Sequence, residues 1–408
     1  MNVAIMSIGD ELMNGFTIDT NSSYIARQLV EFDSLEVVSK ITSNDNQNDI
    51  ISNIDYLISK EYEYIFITGG LGPTHDDITK KALSKYFDCK LIINEPYYRR
   101  LQAFFNKIKI KKDNHLESQA QILEISKPIP NRYGTALGMV VEYKNSTLFI
   151  LPGVPKEIKG MITKEIIPSY IEPNFKKIFK SITILTTGIY ESKLHDILKE
   201  EIKKYCDRCK VSFLPSYIGV KIRLFLLNKD ENLEQIKNEF VKKIDKYIFG
   251  YNNDKIEDVV FNQLFNKKKT IAIAESCTGG YISKKITDKS GSSKVYKGSI
   301  IAYSNSIKES FLNVPKDILK DKGAVSEEVA IIMAENIKNK FNADIGISTT
   351  GISGPTGGNE DKPIGLIFIA IAMKNKTIVK KFDLIPRRKE HREVAVHTAL
   401  NMLRLLLK

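Results

Sequence analysis

The chain has 408 residues, of which 42% are hydrophobic and 27% are charged, and this balance is typical of a soluble globular protein. The length indicates two or three domains. No uncharged apolar run approaches the ~20 residues needed to cross a bilayer, and the first residues lack the basic flank and long apolar core of a signal peptide. A cytoplasmic protein without membrane contact is therefore expected.

The cysteines and the net charge exclude few classes of function on their own. Four cysteines are too few for a disulfide framework, and Cys206 and Cys209, which have the spacing of a redox or metal pair, are interpreted as residues at a helix end. The net charge of +12 suits an anionic ligand or a nucleic acid. Because the excess is mostly lysine spread over helices, without interleaved aromatic residues, nucleic acid is not an expected partner.

Residues 1–171 alternate strand and helix patterns, which predicts a parallel β-sheet with helices on both faces. In such sheets ligands bind beyond the carboxyl ends of the strands, where two polar loops, at 9–21 and 68–79, are placed by the pattern. The predicted strands are 3–8, 36–41 and 64–68, and the predicted helices are 20–32, 46–59 and 77–87.

The second of these loops combines glycines, a threonine and paired aspartates. The glycines let the backbone approach a phosphate closely, while the threonine and the next helix's N-terminus supply hydrogen-bond donors. The aspartates are suited to hold a divalent cation, together with an aspartate of the first loop. A tight turn with an aspartate cap is the alternative. The candidate residues are Asp10, Gly69, Gly70, Gly72, Thr74, Asp76 and Asp77.

The loop reads Gly-Gly-Leu-Gly-Pro-Thr-x-Asp-Asp-x-Thr, which resembles the molybdopterin-binding fold as it occurs in the CinA family. The resemblance continues through residues 9–11, 131–138 and 151–157 and covers the whole first domain, residues 1–171. It implies a metal-dependent ADP-ribose pyrophosphatase, not a molybdenum-cofactor enzyme, with a divalent metal as cofactor and a monovalent cation as an optional second ion. It adds Asn131, Gly134, Pro152 and Gly153 to the substrate-binding residues.

Residues 172–252 follow a different pattern, which indicates a small α+β domain. This region resembles the KH-like middle domain of CinA proteins, but it lacks the Gly-x-x-Gly loop of an RNA-clamping KH domain. We therefore interpret it as a spacer and interface element that ends in a polar linker at residues 250–254. The predicted strands are 181–186, 210–214 and 220–227, and the predicted helices are 191–204 and 233–248.

The last predicted domain, residues 253–408, contains a glycine-rich turn between a buried strand and a helix. The turn, Glu-Ser-Cys-Thr-Gly-Gly, places Ser276 beside free backbone N–H groups, as a nucleophile with an oxyanion site requires. A helix cap is the alternative role of Ser276 or Thr278. The predicted strands are 270–273, 298–301, 343–348 and 364–372; helices are predicted at 256–266, 281–286 and 390–407, and a second glycine-rich loop at 349–358.

Four motifs of this domain occur in order and look like the CinA C-terminal domain. They are Glu-Ser-Cys-Thr-Gly-Gly, Tyr-Ser-Asn with a lysine three residues on, Gly-Ala-Val-Ser, and Thr-Gly-x-x-Gly-Pro-x-Gly-Gly. The resemblance implies an α/β domain that deamidates nicotinamide mononucleotide and needs no cofactor. It also implies a homodimer.

Amide hydrolysis needs a nucleophile, a base and an oxyanion hole. The domain's two histidines lie on the terminal helix, so the available arrangement is Ser-Lys: Ser276 attacks and Lys308 takes its proton, once its pKa is lowered by about three units. By analogy, Tyr303 relays or orients that proton, and Thr278 completes the catalytic set. Cys277 is expected to lie buried beneath the turn. The residues expected to bind substrate are Cys277, Gly279, Gly280, Asn305, Thr350, Gly351, Gly354, Arg388 and Arg392.

The resulting prediction is a bifunctional pyridine-nucleotide hydrolase that acts on ADP-ribose and on nicotinamide mononucleotide. Two alternatives stay open because a domain of matching fold can bind without catalysing. One is a binding protein linked to competence or DNA damage, and the other is a first domain that binds molybdopterin without catalysis. The sequence does not show whether Lys308 reaches Ser276 or which arginine meets a phosphate.

Overall fold

The structure is a computed structural model that describes residues 1–74, 77–107, 116–178, 181–227 and 231–408. The predicted metal ligand Asp76 lies outside these residues. The chain divides into two compact units, Met1–Lys180 and Ser181–Lys408. Within the described ranges, no helix combines the length and the apolar character that crossing a membrane requires.

The first unit contains eight strands within its described residues. They are β1 (Asn2–Ile8), β2 (Glu36–Ser43), β3 (Tyr64–Thr68), β4 (Leu91–Ile93), β5 (Gln121–Leu123), β6 (Lys127–Ile129), β7 (Gly138–Tyr143) and β8 (Ser146–Leu151). The helices are α1 (Asp10–Met13), α2 (Thr20–Leu29), α3 (Gln47–Ser59), α4 (Thr79–Tyr86), α5 (Glu95–Lys107), α6 (Leu116–Ala120) and α7 (Pro155–Met161), which continues as a π-helical segment, Ile162–Ile171.

Six of these strands form a mixed sheet in the order β2-β1-β3-β8-β7-β6. The four strands from β2 to β8 run parallel, as the alternation of strand and helix predicts, whereas β7 and β6 are antiparallel. The parallel strands are covered on both faces, because alternate residues of β1 enter different hydrophobic clusters: Ala4 and Met6 one, Val3 and Ile5 the other. The antiparallel pair β7–β8 was not predicted; its two-residue turn includes Lys144 at φ +52°.

The second unit has nine strands and eight α-helices within its described residues. The strands are β9 (Ser181–Thr186), β10 (Cys209–Ser216), β11 (Gly219–Leu226), β12 (Ile248–Tyr251), β13 (Ile271–Glu275), β14 (Tyr296–Ile301), β15 (Ile345–Gly351), β16 (Leu366–Ala372) and β17 (Thr377–Asp383). The helices are α8 (Glu191–Tyr205), α9 (Leu233–Ile244), α10 (Ile256–Asn266), α11 (Tyr281–Thr287), α12 (Asn305–Leu312), α13 (Lys316–Asp321), α14 (Glu327–Lys340) and α15 (Arg388–Leu406).

The first four strands of this unit form an antiparallel sheet in the order β10-β11-β9-β12. We call residues 181–251 the four-stranded module. The edge strand β12 corrects the sequence prediction, in which a helix extended to residue 248 and a linker began at residue 250. The helix α9 ends at Ile244, and the chain then pairs with β9 before it leaves the module.

The other five strands form the sheet β14-β13-β15-β16-β17, in which β14, β13 and β15 are parallel. Both faces of β13 are buried: Ile271 and Ile273 pack with α10, α11 and α15, and Ala272 and Ala274 pack with α12 and α14. Because β13, β14 and β15 run parallel, their carboxyl ends meet at one edge of the sheet. The glycine-rich turn and the loop after β15 both begin at that edge.

Candidate active sites

The turn between β13 and α11 holds the candidate nucleophile. Gly279 and Gly280 have φ values of +58° and +87°, a backbone conformation that residues with a side chain rarely adopt, so the turn depends on glycine at both positions. Ser276 comes directly after β13, and its N–H donates to the carbonyl oxygen of Thr349 at 3.0 Å. The serine is thus fixed between two parallel strand ends.

Glu275, the last residue of β13, fixes the far side of the turn. Its fully buried carboxylate accepts hydrogen bonds from the N–H groups of Ile282 at 3.1 Å and Ser283 at 2.9 Å, at the start of α11. The Ser283 hydroxyl donates to the same carboxylate at 2.6 Å. Helix N-termini leave N–H groups without intrahelical partners, and Glu275 supplies their acceptor.

Lys308 lies on α12 and reaches Ser276. Its Nζ is 3.2 Å from the Ser276 Oγ, 2.7 Å from the Ala302 carbonyl oxygen and 3.4 Å from the Tyr303 carbonyl oxygen. The lysine is only 1% exposed. Asn305, at the exposed start of the same helix, lies outside this contact. The contact between Lys308 and Ser276, which the sequence could not establish, is therefore present.

Burial shifts the pKa values of Lys308 and Cys277 in opposite directions. Burial lowers the pKa of Lys308, although a charge on Cys277 would oppose that change. Burial also raises the pKa of the Cys277 thiol to about 12, and the charge of Glu275 adds to the effect. The thiol therefore stays protonated near neutral pH, and a protonated thiol is a poor nucleophile. This favours Ser276 over its neighbour.

Thr278 is fully buried, and its contacts fix the turn. Its hydroxyl lies 2.8 Å from the hydroxyl of Thr349 on β15, and its carbonyl oxygen accepts a hydrogen bond from Arg392 at 2.8 Å. The N–H of Gly279 donates to the Ser276 carbonyl oxygen at 3.1 Å, whereas the N–H of Gly280 has no acceptor among the described residues. Gly280 therefore offers a donor to an incoming oxyanion, and Gly279 does not.

Tyr303, expected to relay or orient the proton of Ser276, has different partners for its two polar groups. Its phenol is exposed, and the phenolic oxygen accepts a hydrogen bond from Arg388 at 2.9 Å. Only its main-chain carbonyl contacts Lys308. The expected proton relay through the phenol has no counterpart in these contacts, because a residue's side chain and carbonyl can face different partners.

The segment predicted as a second glycine-rich loop, residues 349–358, begins as strand, because Thr350 and Gly351 pair with β16 as the last residues of β15. A Cβ on Gly351 would lie 2.7 Å from the Leu366 carbonyl oxygen, and Gly354 has φ +72°. Thr350 is 1% exposed and donates its hydroxyl to the Ala324 carbonyl oxygen at 2.6 Å, so its side chain holds the loop in place. The expected contact of Thr350 with a ligand would have to use its backbone.

Helix α15 connects this loop to the turn. Arg388 donates to the Gly354 carbonyl oxygen at 3.0 Å, and Arg392 donates to the Thr278 carbonyl oxygen. The Nε of Arg392 is buried without a partner among the described residues. Together with Lys389, Tyr281 and Glu393, the two arginines line a cavity of about 300 Å³. Both arginine candidates thus remain available to an anion.

Sequence reasoning missed a buried hydrogen bond between His391 of α15 and Ser353 of the loop after β15. His391 Nδ1 lies 2.9 Å from the Ser353 hydroxyl, and its Nε2 lies 3.2 Å from the Gly365 carbonyl oxygen. Since a carbonyl only accepts, Nε2 carries the hydrogen and Ser353 donates to Nδ1. Burial lowers the pKa of His391, which keeps the ring neutral. His391 was not predicted as a site residue because it lies on the terminal helix. The same helix, however, carries the predicted site residue Arg388 three positions earlier.

In the first unit, the predicted glycines line the carboxyl ends of β3 and β8. Gly69 has φ +113°, and a Cβ there would lie 2.1 Å from the Ile8 carbonyl oxygen. Gly70 has φ +64°, and a Cβ there would lie 2.2 Å from the Thr79 hydroxyl. Gly153 faces Gly69 across the strand ends, with 3.6 Å between its Cβ position and the Gly69 Cα. A side chain would therefore be strained at Gly69 and Gly70, whereas the contact at Gly153 is an ordinary van der Waals distance.

Asp77 holds the glycine-rich loop in the way that the tight-turn alternative describes. Its Oδ2 accepts hydrogen bonds from the Thr74 N–H at 2.9 Å and the Thr74 hydroxyl at 2.6 Å. A Cβ on Gly72 would lie 2.5 Å from the same oxygen. One oxygen of the carboxylate is thus engaged within the loop.

Asp10 pairs with a residue that sequence reasoning missed, Asp45. The Asp10 carboxylate accepts from the Asp45 N–H and the Asp45 carboxylate accepts from the Asp10 N–H, each at 3.0 Å. Burial raises the pKa of Asp45, and the charges of Asp10, Glu11 and Asp77 raise it further. Asp45 follows the carboxyl end of β2, the same kind of position that identified the other loops.

This accumulation of negative charge suits a divalent cation. Carboxylate oxygens are the ligands that Mg²⁺ and Ca²⁺ prefer, and a cation would offset the repulsion that raises the pKa of Asp45. Within the described ranges, however, no three His, Cys, Asp or Glu side chains are grouped as a metal site. Asp10 and Asp77 thus carry oxygen donors of the right chemistry for a divalent cation, but the described residues do not form a metal site, and Asp76 lies outside the description.

Asn131 and Gly134 gather around Glu157 on α7. The Asn131 side-chain amide donates to Glu157 at 2.8 Å and to the Ala136 carbonyl oxygen at 3.0 Å, and it is fully buried. A Cβ on Gly134 would lie 1.9 Å from a Glu157 oxygen. Burial raises the pKa of Glu157. These residues shape the loop before β7.

Pro152 and Gly153 tie β8 to its neighbours through their carbonyl oxygens. Thr68 donates its hydroxyl to the Pro152 oxygen at 2.9 Å. Asn21, which was predicted in the first polar loop and lies at the start of α2, donates its amide to the Gly153 oxygen at 2.7 Å. The two predicted loops of the first unit are thus connected through β8.

Comparisons with known families and proteins match both parts of the chain. The family model of the CinA C-terminal domain matches residues 253–407, and that of a probable molybdopterin binding domain matches residues 4–171. A CinA-like protein of Dictyoglomus turgidum is 36% identical over 410 residues, which cover 100% of this chain and 98% of that protein. This chain belongs to the CinA family.

Other similar proteins carry related names. A putative competence-damage inducible protein of Caldicellulosiruptor bescii is 34% identical over 409 residues, covering 99% of this chain and 98% of that protein. A solved structure, the competence/damage inducible protein CihA of Agrobacterium tumefaciens, is 33% identical over 36% of this chain and 91% of that chain, with a TM-score of 0.36. CinA-family membership confirms the resemblance drawn from the motifs.

Proposed function

We propose that the second unit hydrolyses the carboxamide of nicotinamide mononucleotide to nicotinate mononucleotide and ammonia, with Ser276 as nucleophile and Lys308 as base. The observation that carries this proposal is the 3.2 Å separation between the Lys308 Nζ and the Ser276 Oγ in a buried environment. Burial lowers the pKa of the lysine, which increases the fraction of neutral amine that can accept a proton.

The proposed reaction proceeds in two steps. Neutral Lys308 takes the Ser276 proton while Oγ attacks the carboxamide carbon, and the Lys308 ammonium then protonates the departing nitrogen as the C–N bond breaks. Water next attacks the resulting ester, Lys308 takes its proton, and that proton returns to Ser276 as the ester C–O bond breaks. The carbonyl oxygens of Ala302 and Tyr303 accept hydrogen bonds from the ammonium and hold it toward Ser276.

Charge complementarity supports the placement of the nucleotide. The N–H of Gly280, which has no acceptor among the described residues, is available to the oxyanion of the tetrahedral intermediate. Arg388, Lys389 and Arg392 give the adjoining 300 Å³ cavity an excess of positive charge, which suits the 5′-phosphate. The family models and the named relatives do not state a substrate, so the substrate class rests on this chemistry and on the motif resemblance.

For the first unit we propose a metal-dependent ADP-ribose pyrophosphatase. Asp10 and Asp77 would hold the cation, and a bound divalent cation neutralises pyrophosphate charge during such a hydrolysis. Gly69 and Gly70, both with positive φ, shape the loop at the carboxyl end of β3, where the phosphates of such a substrate would bind. Binding of molybdopterin without catalysis is the competing function, which the matched family description favours.

Ammonia release from nicotinamide mononucleotide tests the first proposal. The full chain should release ammonia, the Ser276→Ala variant should not, and Ser310→Ala, a serine on exposed α12 surface, should match the unmodified protein. Retained activity in Ser276→Ala would refute the nucleophile assignment. A titration of ADP-ribose against molybdopterin, with and without Mg²⁺, separates the two functions of the first unit.

A further inference from the structure

A second cavity of the unit Ser181–Lys408 belongs to none of the functions proposed above. It has a volume of about 470 Å³, within the range of roughly 300–1,000 Å³ that small-molecule sites occupy. It lies where the four-stranded module meets α10, α11 and α15, and ligand sites occur preferentially at such junctions. Neither Ser276 nor Lys308 lines it.

The charges that line this cavity balance one another. Three lysines and three carboxylates contribute, so the formal charge of the lining is zero. Several of these groups are already engaged: Lys285 lies 3.0 Å from Glu257, and Glu393 accepts a hydrogen bond from Tyr217. The six residues are Lys221, Lys255, Lys285, Asp254, Glu257 and Glu393.

The neighbouring 300 Å³ cavity has the opposite character. Three cations and one carboxylate line it, so a phosphate belongs there and not in the larger cavity. The two cavities share Tyr281 and Glu393, which form the boundary between a cationic and a neutral compartment. An occupant of the larger cavity is therefore expected to carry no net charge.

The remaining lining suits a flat ring with hydrogen-bonding edges. Tyr217 and Tyr281 supply aromatic surface, and Asn253 supplies an exposed amide. His397 also lines the cavity; it is 8% exposed, and its Nε2 has no hydrogen-bond partner among the described residues. A buried nitrogen without a partner is uncommon in proteins and calls for an explanation, which a ligand would provide.

The state of the His397 ring agrees with a neutral ligand. Burial lowers the pKa of His397 to about 4, with the charge of Glu257 opposing the change and those of Arg404 and Lys285 adding to it. The ring is therefore neutral near pH 7 and offers one donor and one acceptor nitrogen. It packs edge-on against Phe249 of β12, with 5.3 Å between the ring centroids, which holds its orientation.

We propose that this cavity binds an uncharged heteroaromatic molecule of the nucleoside class, at a site separate from the Ser276 turn. The flat base would lie against the tyrosines, its polar edge or the sugar hydroxyls would meet His397 and Asn253, and the absence of a phosphate would match the balanced lining. The proposal does not depend on the deamidation of nicotinamide mononucleotide.

Calorimetry of the full chain with adenosine, guanosine, uridine and cytidine tests the proposal. At least one nucleoside should bind saturably with one site per chain, and its 5′-monophosphate should bind at least tenfold more weakly. The Asn253→Trp variant, which places a large ring at the exposed rim, should weaken binding at least tenfold, whereas Asn145→Trp in the first unit should not. His397→Leu should reduce affinity by a similar factor.

The outcomes separate this proposal from the deamidase proposal. Nucleoside binding that persists in Ser276→Ala, whatever the fate of ammonia release, supports a separate site. Absence of binding by all four nucleosides, or equal affinity in Asn253→Trp, would overturn the proposal. Tighter binding of the monophosphate that is lost in Arg392→Gln would assign the ligand to the cationic cavity and overturn it as well.

Discussion

Replacing Lys308 with methionine tests the Ser-Lys arrangement most directly. Methionine is similar in length and apolar, so it fills the buried space and removes only the amine. In the proposed mechanism this removes the general base, a change that typically costs ~10²–10⁴-fold in rate. The corresponding loss of transition-state stabilisation is about 3–5 kcal/mol.

The double variant decides whether the two residues act as a unit. If Lys308 acts only through Ser276, then Ser276→Ala combined with Lys308→Met should be no slower than Ser276→Ala alone, because members of one catalytic unit are not additive. The assay is single-turnover and steady-state release of ammonia from nicotinamide mononucleotide. Multiplied losses in the double variant would show that Lys308 contributes by another route.

The pH profile supplies an independent readout. The base form of Lys308 exists only above its pKa, so kcat/KM should rise with pH through a pKa below the ordinary lysine value of 10.5 and level off above it. Lys308→Met should lack this rise. The amine also donates to the buried Ala302 carbonyl oxygen and to that of Tyr303, so the variant should lose about 1–3 kcal/mol in the free energy of unfolding by urea. A folded variant with an unchanged rate and profile would refute the mechanism.

Three further predictions follow from the two candidate sites. Asp77→Asn should abolish metal-dependent AMP release from ADP-ribose and leave ammonia release intact, while Asp88→Asn, on an exposed turn, changes neither; equal loss of both activities would point to misfolding. His391→Leu should lower the urea unfolding free energy by ~1–3 kcal/mol, and combining it with Ser353→Ala should add little, since both variants remove the same hydrogen bond between Ser353 and His391. Because burial lowers the His391 pKa, the unfolded chain binds more protons below pH 6.5, so this histidine should reduce stability as the pH falls, and His391→Leu should flatten that slope. Glu275→Gln should cost ~1–3 kcal/mol, because an amide offers one acceptor oxygen to three donors, and chemical denaturation with no change would contradict the capping role.

The strands that end in glycine-rich turns could be predicted from the sequence, because their conformation depends on neighbouring residues. The strand Tyr64–Thr68 was predicted with its observed bounds, since an apolar run before a glycine-rich loop has few alternatives. The positive φ values of Gly279 and Gly280 are likewise predictable, because two consecutive glycines indicate a turn of this kind. Such features depend on residues a few positions apart, so the local sequence pattern predicts them.

Features that depend on distant partners could not be predicted. The strand Ile248–Tyr251 was assigned to a helix and a linker because its partner β9 lies more than sixty residues earlier. Asp45 was overlooked because its reciprocal contact with Asp10 exists only once β1 and β2 pair. The hydrogen bond between the Tyr303 phenol and Arg388 was not predicted, since the two residues are 85 positions apart.

Helix α15 explains why these distant contacts converge on the candidate deamidase site. Three residues near the start of the helix bind two segments: Arg388 and His391 hold Gly354 and Ser353 of the loop after β15, and Arg392 holds the Thr278 carbonyl oxygen. Since residues three and four apart share one face of a helix, a single face links both glycine-rich segments. These contacts from α15 add to those that Glu275, Thr278 and Thr350 already make for the same two segments. The turn at Ser276 therefore depends on a helix that begins more than a hundred residues later, and changes on that face should alter substrate affinity without touching the Ser276–Lys308 pair.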